Sequence, residues 1–171
     1  HRPMKASTRA AVPPPPPDPF DLSVEAPVPE AVAAMARHVT ERFPGTDADI
    51  VRRAYRVAEH AHRRQKRASG EPYVTHPVAV AQVLDELGMD PYGLAAALLH
   101  DVVEDTAYDQ ADIERLFGKE VARLVAGVTK ISELESLDAE RPKEAAEAES
   151  LRRLLLAAVN DLRVILIKLA D

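Results

Sequence analysis

From Pro29 onward, apolar residues recur at three- and four-residue spacing, the period of helices that bury one face. The stretch "PEAVAAMARHVTERF" predicts a first helix that Pro44 and Gly45 end. In "DIVRRAYRVAEHAHRRQKR", Ile50, Val51, Ala54, Val57, Ala58 and Ala61 fall on one face, with Thr46 and Asp47 or Asp49 as candidate N-caps. Gly70 and Pro72 in "ASGEPYVT" break this second helix. His76 before Pro77 and Asp90 before Pro91 each read as a cap residue ahead of a proline at the first helical position. The helix begun at Pro91 is expected to run through "LAAALLHDVVED".

Asp109 with Asp112 starts a short helix that ends near Phe117 and Gly118, and "KEVARLVAGVTK" follows as another. Residues 132–149 are charged and poor in large apolar groups, which predicts a loop or a solvated helix. "SLRRLLLAAVNDLRVILIKLAD" predicts one or two strongly apolar helices. Its "VILI" run has β propensity, but no second strand is legible to pair with it, so it reads as buried helix. No repeat is visible, and the expected fold is all-α.

Ahead of these helices the chain is different. Residues 1–29 hold "VPPPPPDP" and two further prolines, Pro27 and Pro29. Proline fixes φ and lacks a backbone donor, so this arm is expected to be extended or disordered. A linker or tail is the preferred reading over a ligand for a proline-reading partner. The residues ahead of Met4 read as an expression remnant. The expected organisation is therefore an arm over 1–29 and one helical domain over 30–171.

Composition narrows the function classes. The 171 residues are 46% apolar and 29% charged, a globular composition with enough chain for a core. Aromatic residues make up 4%, with no Trp, which argues against stacking platforms for single-stranded nucleic acid. The net charge of −6 provides no general basic field for DNA or RNA. An anionic substrate would need local help from a metal ion or a few arginines. The absence of cysteine excludes disulfides and thiolate zinc sites and fits a reducing cytoplasm. No run of about eighteen apolar residues is present to span a membrane, and the N-terminus lacks the apolar core of a signal peptide.

Candidate chemistry concentrates in "ALLHDVVEDT", which places His100, Asp101, Glu104 and Asp105 within six positions of one another. Crowded carboxylates repel unless water, protons or a cation screens them. On a helix, His100 and Glu104 share one face, and Asp101 and Asp105 share the next. An imidazole beside a carboxylate suits a divalent cation bound through nitrogen and oxygen. His76 at a helix start and Asp171 at the end of an apolar segment would complete a four-ligand site from three separated segments. The bland alternatives are a solvated helix end for Glu104 and Asp105, a capping role for His76 and a frayed terminus for Asp171. His38, His60 and His62 match no motif and read as surface residues, and Tyr73 reads as packing its loop.

The histidine–aspartate pair in an all-α chain, with a histidine upstream and an aspartate downstream, resembles the HD-domain phosphohydrolase superfamily. The flanks "RASGEPYVTHPVAVAQVL", "LLHDVVEDT", "FGKEVARLVAGVTKI" and "DLRVILIKLAD" are collinear with the hydrolase domain of the long Rel/Spo enzymes, the bifunctional synthetase–hydrolases of (p)ppGpp. This resemblance covers about residues 45–171 and implies an HD-domain helical bundle. It implies that His76, His100, Asp101 and Asp171 are metal ligands for Mn²⁺, and that Glu104 and Asp105 are the acidic pair needed for hydrolysis. It further implies that Arg67 lines the guanine pocket, with Ser69 in the same loop. The implied reaction removes the 3′-pyrophosphate of ppGpp or pppGpp.

Two departures qualify it. Ala68 stands where family members often carry a basic residue, and the chain stops at Asp171, before an Asn that helps catalysis and before the synthetase domain. The chain therefore reads as a cut-out hydrolase domain, with a last turn expected to fray and a site expected to bind metal weakly. The implied partners are ppGpp or pppGpp as substrate and the synthetase and regulatory domains of a longer chain. A ribosome would enter only through regions outside this one. Two competing readings are an HD-type nucleotidase on another nucleotide and a silent regulatory domain controlling an attached synthetase. The "SGEPYVTHP" loop disfavours the first, and the intact acidic pair disfavours the second.

Overall fold

A computed structural model describes residues 27–139 and 141–171, and the proline-rich arm expected over 1–29 falls almost wholly outside them. The described residues form α1 (Glu30–Arg42), α2 (Asp49–Ala61), α3 (Thr75–Glu86), α4 (Pro91–Leu99), α5 (Val102–Asp105), α6 (Gln110–Phe117), α7 (Lys119–Asp138), α8 (Lys143–Asn160) and α9 (Leu162–Ala170). Among these residues the only β pairing is an isolated bridge between Lys66 and Pro72. The fold is all-α, as the spacing predicts, and the "VILI" run is helical within α9.

The centre of the fold is α4. Asp90 caps it by accepting the N–H of Gly93, Pro91 takes its first position, and residues 94–99 have no exposed surface. A helix apolar on every side is stable only when surrounded, and α2, α3, α7 and α9 pack around this one. The predicted face of α2 is the buried one: Ile50, Val51, Ala54, Val57, Ala58 and Ala61 all enter the core. Ala48 holds the cap position there, and Asp47 accepts the N–H of Asp49, so the candidate caps contribute through Asp47 alone.

Several expected boundaries differ. Helix α2 stops at Ala61 instead of continuing to Arg67, because no apolar residue follows to extend its buried face. The chain turns back instead, with Tyr73 N–H donating to the Gln65 carbonyl and Arg67 N–H to that of Glu71. Gly70, at φ +88°, allows this tight reversal. His76 is the second residue of α3, after Val74 in the cap position, so it is not the cap residue. The helix through "LAAALLHDVVED" breaks in two, with His100 ending α4 and Asp101 leading into α5. Residues 132–149, left open between loop and helix, are helical at both ends, in α7 and α8. Within the strongly apolar stretch, Leu151, Leu155 and Leu156 are exposed, because α8 packs mainly against α7 and α9.

Helix α9 carries Asp171 at its end, so whatever positions α9 positions that carboxylate. Arg163 ties its first turn down by donating to Asp90, Glu120 and Asp161. Gly127 of α7 lets the two helices approach, since a Cβ there would lie 2.9 Å from Val164 Cγ2. Valine is stiff at χ1 in a helix, so α9 must shift if this gap is filled. Gly127→Leu is expected to destabilise the chain by about 1–3 kcal/mol, the usual range for overpacking, and to weaken cation binding at Asp171. Urea unfolding and cation titration of the same variant check the two effects together.

Candidate metal centre

Three segments distant in sequence converge at one end of α4. The loop after α2 leads into α3 and brings in His76, the α4–α5 break supplies His100 and Asp101, and the end of α9 supplies Asp171. One ligand atom from each of these four residues lies within 4.8 Å of every other. His76 Nε2 is 2.7 Å from Asp171 Oδ1, and His100 Nε2 is 3.1 Å from both Asp171 Oδ1 and Asp101 Oδ2. The turn carrying Asp171 is held, not frayed, since its N–H donates to the Ile167 carbonyl at 3.0 Å.

The donor chemistry fits a divalent cation. His100 is 1% exposed and donates through Nδ1 to the Ala97 carbonyl at 2.6 Å, which leaves Nε2 facing the two carboxylates. A lone pair aimed at two anions is unfavourable unless a proton or a metal ion lies between them. Burial alone would lower the His100 pKa, but the carboxylates of Asp101 and Asp171 outweigh it and push the value up to about 10. The same contact, with His100 first, holds the Asp171 carboxyl well below its ordinary range. Burial opposes ionisation of Asp101, and the hydrogen bond and charge of His100 together with the Tyr73 hydroxyl more than offset this, so its pKa is lowered.

These shifts predict a pH dependence whose sign can be worked out. In the metal-free chain the His100 pKa is raised above its unfolded value of roughly 6.5. Its contribution to stability is therefore complete below that value and lost as pH rises toward about 10. A cation must displace the same proton, so uptake of Mn²⁺ at pH 8 should release about one proton per ion. Calorimetric titration in two buffers of different ionisation enthalpy measures that number.

Glu104 and Asp105 lie on α5, exposed beside the four, and are not members of the group. Burial and then the negative charges of Asp101 and Asp105 raise the Glu104 pKa, while burial and then Asp101 raise that of Asp105. Arg67 and Ser69 are exposed on the turn between α2 and α3. The structure does not bring them into the group.

Other nearby residues were not anticipated. His62, expected on the surface, is 2% exposed, and its ring packs 4.6 Å from that of Tyr73. Tyr73 does more than pack its loop, because its hydroxyl donates to Asp101 Oδ2 at 2.7 Å. Gln65 Nε2 donates to the Asp105 carbonyl, which pins α5 to the same loop. Lys168 Nζ lies 3.7 Å from Asp171 Oδ2 and 3.0 Å from Glu135 Oε2, placing one cation at the rim of an acidic site. The early loss of apolar spacing after Ala61 was the one available signal that His62 turns inward.

Comparison with known proteins finds similarity over most of the chain. The model of the HD domain matches residues 54–171. The chain is 55% identical over 121 residues to the bifunctional (p)ppGpp synthase/hydrolase SpoT of Escherichia coli K12, covering 71% of this chain and 17% of that protein. It is 54% identical over 121 residues to a GTP pyrophosphokinase of Streptomyces coelicolor, covering 71% and 14%. With a probable GTP pyrophosphokinase of Mycobacterium leprae it shares 46% over 149 residues, covering 87% and 18%. The chain thus spans less than a fifth of the length of these relatives. Among the described residues no helix is long and apolar enough to cross a membrane.

Proposed function

The chain belongs to the HD-domain family, and on that premise we propose that it is the hydrolase part of a bifunctional stringent-response enzyme. The reaction is hydrolysis of the 3′-pyrophosphate of ppGpp or pppGpp, with residues 30–171 as the hydrolase domain. The observation that carries this reading is the convergence of His76, His100, Asp101 and Asp171 from three distant segments, with ligand atoms within 4.8 Å of one another. These four would hold the ion, and Mn²⁺ is the proposed cofactor. When bound, it supplies Lewis acidity toward a phosphoryl oxygen and lowers the pKa of water.

The remaining steps belong to the chain's own side chains. Water adds to the phosphorus attached to the 3′-oxygen as the bond between them breaks; the water oxygen stays on the departing pyrophosphate, and the 3′-oxygen takes up a proton to become the free hydroxyl of GDP or GTP. Glu104, whose pKa is raised by burial and by Asp101 and Asp105, suits the role of proton acceptor from that water. Asp105 positions the water network beside it. Arg67 and Ser69, on the exposed turn, suit contact with the guanine, and Ala68 leaves this contact without a second basic side chain. The partners proposed are the synthetase and regulatory domains of a longer cytoplasmic protein.

The test is direct. Incubation with ppGpp and Mn²⁺ should release GDP and pyrophosphate in equal amounts, with none released after chelation. Pyrophosphate release that is unaffected by removing the metal, or turnover of other nucleotides in preference to ppGpp, would defeat the reading.

A further inference from the structure

Each member of the metal group needs an anchor outside the group, or its donor atom will wander. His100 has one in the Ala97 carbonyl, and Asp171 has Lys168. Asp101 sits at the break between α4 and α5, where its side chain makes no capping bond to its own helix. Among the described residues, the one hydrogen-bond partner of its carboxylate from outside the four is the Tyr73 hydroxyl, at 2.7 Å.

Tyr73 is itself held. Its ring lies 4.6 Å from the buried His62 ring and 6.0 Å, edge-on, from that of His76. His62 donates through Nδ1 to Gln65 Oε1 at 2.9 Å, while Gln65 Nε2 donates to the Asp105 carbonyl at 2.8 Å. The Tyr73 N–H closes this web on the Gln65 carbonyl at 3.1 Å. The loop that presents Arg67 and Ser69 is thereby fastened at one point to Asp101 and at another to the helix of the acidic pair.

We propose that Tyr73 is a positioning residue that fixes Asp101 for the cation and ties the Arg67–Ser69 loop to the metal site. This inference rests on the metal-dependent reading above and adds to it a residue that touches neither ion nor reacting atoms. Partners that orient a metal ligand in this way typically change metal affinity about 10–100-fold when removed.

Tyr73→Phe keeps the ring between the two imidazoles and removes only the hydroxyl. By calorimetric titration on the full chain, its dissociation constant for Mn²⁺ should rise at least about tenfold. Turnover of ppGpp should fall at limiting Mn²⁺ and return to the unsubstituted rate at saturating Mn²⁺, because the residues of the reaction itself are intact. Tyr108→Phe is the control: it removes the hydroxyl of a buried tyrosine, paired with His60 Nδ1 at 3.0 Å, and should leave Mn²⁺ affinity unchanged.

Unaltered Mn²⁺ affinity in Tyr73→Phe would overturn the inference and leave the function reading standing. Lost turnover that excess Mn²⁺ fails to restore would also overturn it, by placing Tyr73 on the substrate. An equal loss of affinity in Tyr108→Phe would reduce the effect to general destabilisation. If the unsubstituted chain takes up no Mn²⁺, both readings fall together. If it takes up Mn²⁺ but leaves ppGpp intact, the substrate assignment fails while the affinity comparison still decides the role of Tyr73.

Discussion

Replacing His100 by alanine should abolish the stabilisation that the proposed Mn²⁺ ion would give to the unsubstituted chain. A ligand that binds only the folded state stabilises it by about 2.7 kcal/mol at a hundredfold excess over Kd. His100 carries that effect because its Nδ1 is committed to the Ala97 carbonyl and its Nε2 faces Asp101 and Asp171. The substitution also removes the one buried cation that those carboxylates share in the metal-free chain. The His100 side chain is 1% exposed, so its removal also leaves a cavity, and the variant should melt below the parent before any metal is added. His76→Ala separates the two losses. Its imidazole contacts the same Asp171 oxygen but its side chain is 20% exposed, so more of the fold survives while the metal effect is still lost. Thermal melts with and without Mn²⁺ read both quantities. A Mn²⁺ shift of parental size in both variants would place the ion elsewhere.

The sequence pattern identified most of the helices because their cause is local. The apolar face of α2 and the Asp90–Pro91 start of α4 follow from residues a few positions apart, and the structure contains both. The capping box of α6 is equally local, with Asp109 and Asp112 each accepting the other's N–H. Where the pattern misled, a tertiary contact decides the outcome. Helix α2 runs out of apolar residues after Ala61, and the loop beyond it is closed by the Tyr73 N–H on the Gln65 carbonyl, a contact that helical spacing does not foretell. The break at His100 is likewise invisible to periodicity, since both residues at the break keep right-handed helical backbone angles.

The site was legible to a different degree. The four candidate ligands stand at positions 76, 100, 101 and 171, and helical spacing relates only the middle pair. Residue type and a place at a segment end make the outer two candidates, the motif resemblance implies them as ligands, and the approach of α3 and α9 to the end of α4 brings them within reach. The residues around them were missed because nothing in a sequence says where a tyrosine hydroxyl or a lysine amine will land. Tyr73 and Lys168 each acquire a role from a partner 28 or 36 residues away in the chain, Asp101 for one and Ser132 for the other. His62 looked like part of a basic surface run, and it became buried only because the helix carrying it ended one residue earlier.

Glu104→Gln should retain cation binding and lose turnover by about 10²–10⁴-fold, the usual contribution of a general base. Glutamine keeps the length and shape of glutamate but cannot accept a proton from water. Cation binding survives because Glu104 lies outside the group formed by His76, His100, Asp101 and Asp171. Its environment suits the task, since burial and the charges of Asp101 and Asp105 raise its pKa and make the carboxylate a stronger base. The acid limb of the pH–rate profile should then lie above the ordinary glutamate value and disappear in the variant. Asp105→Asn gives the needed contrast. Its pKa is also raised, by burial and by Asp101, and its loss should lower the rate less if it only orders water beside Glu104. Equal losses in the two single variants, with no further loss in the double, would mean that the pair acts as a unit. Near-normal kcat in Glu104→Gln would remove Glu104 from the mechanism and transfer the proton to another acceptor.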